Sequence, residues 1–141
     1  MAEEAPDIAA IVARIPYARF LGARAEPRGD ELTLIMPFQE SLIGNPMLPA
    51  LHGGSIGAFM ELAAVAQLSV TTKLARLPKT IDVTIDYLRS GKPADTFARA
   101  RVVRIGRRIA NVHVEAWQNE RAAPIAALHG NFLLTSADDP K

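Results

Sequence analysis

The sequence predicts an α+β domain in which an antiparallel sheet wraps around one long central helix, with a short helix at the N-terminus. Three observations lead to this prediction. Residues 52–73 are apolar on almost every side, as expected of a helix that is buried within the fold. A hairpin pattern precedes this segment, and four sequential strand patterns follow it. The strands that follow the helix are therefore expected to pair antiparallel and to curl around it.

The N-terminal part begins with a helical pattern over residues 6–15. Its apolar residues form one stripe at helical spacing: Ile8, Ile11, Val12 and Ile15. Pro16 is predicted to end this helix. The side chains of Tyr17, Phe20 and Leu21 are then expected to pack against the body of the domain.

A hairpin is predicted next. Residues 23–27 and 31–36 flank the turn Arg28-Gly29-Asp30, and the second arm is rich in strand-forming residues. Residues 37–51 are predicted to form an irregular connection that contains Asn45 and leads to the central helix.

Four strands are predicted after the helix. Residues 80–88 alternate apolar and polar side chains, which predicts a half-buried strand with one solvent-facing side. Residues 96–105 and 109–117 form a pair around Gly106-Arg107-Arg108, and residues 122–134 close the sheet.

The central helix contains one isolated carboxylate, that of Glu61. It is the only formally charged side chain between Glu40 and Lys73 if His52 is neutral. Such a group costs several kcal/mol in an apolar setting unless it is hydrogen-bonded, paired or protonated. Most residues one turn away are small, which leaves room for a ligand or for a closely packed strand. The alternative is a structural Glu that pairs with an arginine or turns towards solvent.

The helix begins with a glycine pair, Gly53 and Gly54, directly after His52. The first turn of a helix has backbone N–H groups without intrahelical partners, and the helix dipole favours negative charge there. This end is therefore a candidate oxyanion site, with His52 placed to hydrogen-bond or orient a substrate. The alternative is an ordinary glycine-containing turn.

Composition restricts the classes of protein that fit. The chain has 141 residues, a net charge of +1 and no cysteine, so one domain over residues 1–141 is expected, with 1–5 and 136–141 as flexible tails. A disulfide framework and a thiolate nucleophile are excluded. Neither nucleic acid nor membrane is a predicted partner, and a cytoplasmic location is the default.

The motifs together resemble the PaaI-like group of hotdog-fold acyl-CoA thioesterases. The resemblance covers roughly residues 16–134 and includes TIDYLRSGKP and VVRIGRR. Its most specific part is LHGGSIGAFMELA at residues 51–63, because the family reads HGG, six residues and then Asp, and Glu61 stands at that position. The family's strand-start Ser or Thr corresponds to Thr80. Its loop asparagine corresponds to Asn45, with one extra residue before the histidine.

The resemblance implies a hotdog fold and the hydrolysis of an acyl-CoA thioester, with CoA as part of the substrate and no separate cofactor. Glu61 would activate water or attack the thioester directly, and the backbone N–H near Gly54 would hold the oxyanion. The site would lie between two subunits of a dimer, or of a dimer of dimers. Its implied catalytic residues are Asn45, His52, Gly53, Gly54, Glu61 and Thr80.

Two basic groups fit the phosphates of CoA. Arg104, Arg107 and Arg108 cluster at one predicted turn, and Arg89 and Lys92 lie at another. Solvated turns are the alternative.

Two other functions remain open: a hotdog dehydratase or hydratase, and an acyl-CoA-binding protein without catalysis. No metal site is predicted, because His52, His113 and His129 lie on different elements and are expected to be far apart.

Overall fold

A computed structural model of the chain describes residues 7–28 and 31–135. The helices are α1 Ile8–Ala13, α2 Pro16–Leu21 and α3 Gly53–Thr72. The strands are β1 Arg24–Arg28, β2 Glu31–Met36, β3 Ile43–Asn45, β4 Ala50–Leu51, β5 Lys79–Tyr87, β6 Thr96–Ile105, β7 Ile109–Trp117 and β8 Ala126–Leu133. The six-stranded antiparallel sheet has the strand order β1-β2-β6-β7-β8-β5, and a small ribbon pairs β3 with β4.

Helix α3 is the centre of the fold. It packs against β6, β7 and β2, and large side chains such as Phe59, Met60 and Leu68 are fully buried. The inward side chains of β7, Val112 and Val114 among them, cover it from the sheet side. The predicted α+β hotdog arrangement, a sheet wrapped around one long helix, is thereby confirmed. By length and composition α3 is apolar enough to cross a membrane, but most of it is buried inside the fold, as in a core helix.

The segment after Pro16 differs from the prediction. Pro16 begins a second helix, α2, because proline fits the first turn of a helix as well as the position after one. Helical spacing then places Tyr17 and Phe20 on the outer face, where they are 50% and 61% exposed and stack on each other. Of the three side chains expected to pack inwards, only Leu21 is buried.

Two further boundaries differ from the prediction. Residues 37–51, expected to be irregular, contain a 3₁₀ turn at Glu40–Leu42 and the ribbon of β3 and β4. The last strand begins at Ala126 rather than at residue 122, because residues 119–125 form the preceding turn. The turn residues Gly29 and Asp30 and the predicted tails at 1–5 and 136–141 lie outside the described residues.

Strand β5 is more exposed than its alternating pattern predicts. It forms one edge of the sheet, and Ile81 and Tyr87 are 51% and 53% exposed although they belong to the apolar half of the pattern. Only Val83 and Ile85 are half-buried. An edge strand with exposed large apolar side chains offers a surface for pairing with another chain.

The prediction that the histidines lie far apart is wrong for two of them. His113 and His129 are direct cross-strand partners on β7 and β8, and their ring centroids are 3.5 Å apart. Burial lowers the pKa of His113 below its ordinary value of 6.5, and the charges of His129 and Arg101 lower it further, against an opposing effect of Glu115.

We expect this pair to make the fold less stable in acid. A histidine with a lowered pKa binds fewer protons in the folded chain than in the unfolded chain, so its contribution to stability is complete above pH 6.5 and is lost as the pH falls from that value through the lowered pKa of the folded chain. The drop in melting temperature between about pH 7.5 and about pH 5.5 should therefore be smaller for His113→Gln than for the parent protein. An equal drop in both would contradict this account.

Candidate active site

The start of α3 is held by His52 in two ways. Its backbone N–H donates to the carbonyl oxygen of Leu42 (2.8 Å), and its side-chain Nδ1 accepts the N–H of Gly54 (2.8 Å), so His52 is the N-cap of the helix. Gly44 on β3 packs closely on it, because a Cβ added at Gly44 would lie 2.7 Å from the His52 Cα. The ribbon of β3 and β4 therefore fixes the position of the imidazole.

A side chain at either glycine of the pair would crowd a neighbouring ring. A Cβ at Gly53 would lie 3.2 Å from the Tyr87 ring, and one at Gly54 would lie 2.9 Å from the imidazole of His52. The Tyr87 hydroxyl donates to the carbonyl oxygen of Gly53 (2.7 Å), which ties the end of β5 to the first turn of α3. The glycines thus let a tyrosine and a histidine approach the helix start.

The hydrogen bond at Gly54 determines which donors remain for a substrate. The Gly54 N–H, predicted as the oxyanion donor, is already bound to Nδ1 of His52. A neutral imidazole that accepts at Nδ1 carries its proton on Nε2, so His52 presents an Nε2–H donor. The N–H of Gly53 has no acceptor within the described residues, as is usual in the first turn of a helix.

Glu61 lies in the middle of α3 and is half-buried rather than enclosed. Its Oε1 accepts a hydrogen bond from Oγ1 of Thr80 (3.0 Å), at the start of β5. The structure thus brings together two of the predicted site residues. A carboxylate offers about four acceptor positions, so the bond to Thr80 orients the group and leaves positions for a water molecule.

The side chain of Asn45 makes a hydrogen bond within its own turn. Its Oδ1 accepts the N–H of Met47 (3.0 Å), which closes an Asx turn between β3 and β4, and the residue is exposed. Through the ribbon it lies on the same substructure as Gly44, which packs on His52.

Within one chain, the two ends of the candidate site are separated. Gly54 and Glu61 lie on the same helix, about 10 Å apart along its axis at 1.5 Å per residue. A reacting carbonyl carbon has to lie about 3 Å from its attacking group while its oxygen lies about 3 Å from the oxyanion donors. Within one chain, the two groups therefore have to span about two helical turns to reach one carbonyl group.

The predicted basic residues fall into two separate groups. Arg107 and Arg108 border an open cleft of about 780 Å³ beside Thr72, at the C-terminal end of α3. Arg104 lies three residues before Arg107, near the end of β6. Arg89 instead borders a smaller cleft of about 340 Å³ that includes Gly53, and its Nη1 donates to the carbonyl oxygen of Pro124 (2.7 Å).

Two residues of this region were not identified from sequence. Tyr87 was interpreted only as part of the strand pattern, although it binds Gly53 and borders the cleft with Arg89. A tyrosine at a strand end commonly finds a hydrogen-bond partner for its hydroxyl, which was the available signal. Tyr17 was interpreted as packing, yet it borders a groove beside Glu61.

Comparison with known proteins identifies the family of the chain. A model of the thioesterase superfamily matches residues 48–125. The chain is 28% identical over 138 residues to the medium/long-chain acyl-CoA thioesterase YigI of Escherichia coli K12, covering 87% of this chain and 88% of that protein. A crystal structure of a Chromobacterium violaceum protein is 38% identical, with a TM-score of 0.73 over 93% of this chain and 91% of that one.

The E. coli PaaI protein, from the phenylacetic acid degradation operon, shares the fold. It matches with a TM-score of 0.78 at 17% identity, covering 91% of this chain and 90% of that one. The match of the family model extends over more than half of the chain and includes His52, Glu61 and Thr80. The chain therefore belongs to the thioesterase superfamily.

Proposed function

We propose that the protein hydrolyses an acyl-CoA thioester to the free acid and CoA. The observation that carries this proposal is the Glu61 carboxylate, which is oriented by Thr80 and belongs to a residue that borders an apolar groove. A carboxylate in such a setting suits proton abstraction from water or direct attack on a carbonyl carbon. Membership in the thioesterase superfamily and the similarity to an acyl-CoA thioesterase support the same reaction.

Two routes fit the carboxylate. As a base, Glu61 takes a proton from water while the water oxygen bonds to the thioester carbon; the C–S bond then breaks, and the CoA thiolate takes up a proton. As a nucleophile, Glu61 bonds to that carbon and expels the thiolate, and water then cleaves the resulting anhydride. In both routes negative charge develops on the carbonyl oxygen, where the Nε2–H of His52 and the N–H of Gly53 are suitable donors.

We further propose that two copies of the chain share each site. A two-fold axis that pairs the α3 helices antiparallel, midway between Gly54 and Glu61, would place the carboxylate of one copy beside the helix start of the other. The exposed apolar side chains of edge strand β5 offer the surface for this pairing. The separation of the two ends within one chain supports this arrangement.

The expected assembly is a dimer or a dimer of dimers. Sedimentation velocity at micromolar concentration should show a species of at least twice the 15.2 kDa chain mass. A species of 15.2 kDa that retains full activity would contradict the shared site.

Arginine side chains are proposed to bind the phosphates of CoA. Replacing Arg107 and Arg108 together by Ala should raise KM for acyl-CoA about tenfold or more, because hydrogen bonds to charged groups contribute roughly 1.5–3 kcal/mol. KM for an acyl-pantetheine that lacks the nucleotide should not change. An Arg19→Ala/Arg24→Ala variant controls for the loss of two charges, and Arg89→Ala tests the second basic group. Equal effects on both substrates would argue against phosphate binding.

A thiol-release assay over a panel of acyl-CoA substrates tests the proposed function. We expect turnover with at least one acyl group, together with loss of turnover in Glu61→Gln. Tight binding of acyl-CoA without turnover would favour a binding protein instead. Addition of water across an enoyl-CoA double bond without thiol release would favour a hydratase.

A cytoplasmic location, expected from the sequence, stays a prediction.

A further inference from the structure

We propose that the groove between α2 and α3 binds the acyl chain of the substrate, and that Ala58 and Tyr17 set the length of chain that it accepts. This inference rests on the proposed thioesterase function. The groove has a volume of about 130 Å³. Its walls come from both helices and are mostly aliphatic: Ala18 and Leu21 from α2, and Ala58, Leu62 and Val65 from α3.

The residue that carries the candidate catalytic carboxylate borders the same groove. Ala58, Glu61, Leu62 and Val65 follow the spacing i, i+3, i+4, i+7, so they form one stripe of α3. Glu61 therefore borders the groove together with aliphatic neighbours. Because the thioester carbon has to lie beside this carboxylate, the chain attached to that carbon is directed along the groove.

The lining selects the chemistry of the acyl group. Among the described residues that border the groove, only Glu61 is charged. A second carboxylate on the substrate would be repelled by Glu61, and a polar chain would be desolvated without partners along the aliphatic walls. The groove therefore fits an uncharged, saturated or aromatic acyl group.

The volume indicates how much of the chain is held. A dry aliphatic cavity of about 150 Å³ holds benzene, so a groove of this size takes roughly five or six carbon atoms. Tyr17 borders the groove with a ring that is half exposed to solvent, so it stands at the outer end. Longer chains would have to pass Tyr17, whose ring stacks on that of Phe20 at 5.3 Å.

Binding of alkyl-CoA thioethers, which contain no hydrolysable bond, tests the groove independently of turnover. Calorimetry with a series of even-numbered chains should show affinity rising about fourfold per methylene group up to about six carbons and then levelling off. Ala58→Leu fills the groove from α3, so it should weaken binding of a hexyl chain about 10–100-fold and leave the shortest chain nearly unchanged. Tyr17→Ala opens the outer end and should improve binding of decyl and dodecyl chains.

One substitution outside the groove serves as a control. Ala13→Leu adds the same bulk on an exposed position of α1 and should not change the dependence on chain length. Melting temperature and sedimentation of each variant show that fold and assembly are retained.

The outcomes separate this inference from the proposed function. If folded Ala58→Leu weakens all chain lengths equally, or if affinity does not depend on chain length in the parent protein, the groove is not the acyl site. If affinity depends on chain length as described but the matching acyl-CoA esters are not hydrolysed, the groove assignment holds and the thioesterase proposal fails.

Discussion

Replacing Glu61 with Gln is expected to lower kcat by at least about two orders of magnitude, the usual effect of removing a positioned base or nucleophile. The amide keeps the shape of the side chain, and its oxygen still accepts the hydrogen bond from Thr80. It has no negative charge and does not take a proton from water. Substrate affinity and melting temperature should therefore change little.

A matched substitution separates this effect from a general loss of negative charge. Glu26→Gln removes an exposed carboxylate on β1 and should leave kcat unchanged. If Glu61→Gln instead lowers the melting temperature and leaves kcat within a few-fold, the carboxylate is structural and the catalytic assignment is wrong.

Replacing His52 with Asn is expected to separate its observed role as the N-cap of α3 from its proposed role as an oxyanion donor. Asparagine is among the best N-cap residues, so it can still accept the N–H of Gly54 and keep the helix start intact. It does not reproduce the Nε2–H of the imidazole. Loss of one oxyanion donor typically lowers kcat by about 100–1000-fold, and we expect a decrease of this order with little change in melting temperature.

The alanine variant gives the comparison. His52→Ala removes both the cap and the donor, so it should lower kcat similarly and also destabilise the fold by about 1 kcal/mol. If His52→Asn retains nearly parental kcat, the imidazole acts only as a cap, and another donor holds the oxyanion.

The features that were best predicted from sequence are those that a single physical requirement, such as burial of an apolar helix, decides. A helix of 20 residues without a continuous polar face has no stable position on a surface, so α3 had to be central. The single carboxylate within it, Glu61, stood out for the same reason, and its partner Thr80 followed from the resemblance. The antiparallel sheet after α3 was also predictable from the alternating pattern of residues 80–88 and from the pair of strand patterns around Gly106-Arg107-Arg108.

Other features depend on interactions that sequence patterns do not contain. Pro16 is compatible with both the end and the start of a helix, so local chemistry did not decide the position of α2. The exposure of Ile81 depends on β5 being an edge strand, which is a property of the whole sheet. The bond from Gly54 to His52 depends on one side-chain rotamer, and it changes which donors face a substrate.

The central claim is that Glu61 of one copy acts on a thioester held by the helix start of another, and mixing two inactive variants tests it most directly. Glu61→Gln and His52→Ala are unfolded together and refolded, so that copies pair at random. In a mixed dimer one site then has both variant residues and the other has neither. The account predicts recovery of about one quarter of the parental activity, since half of the dimers are mixed and each has one intact site. Activity no higher than that of the separate variants would show that each chain contains a complete site, and would contradict the account.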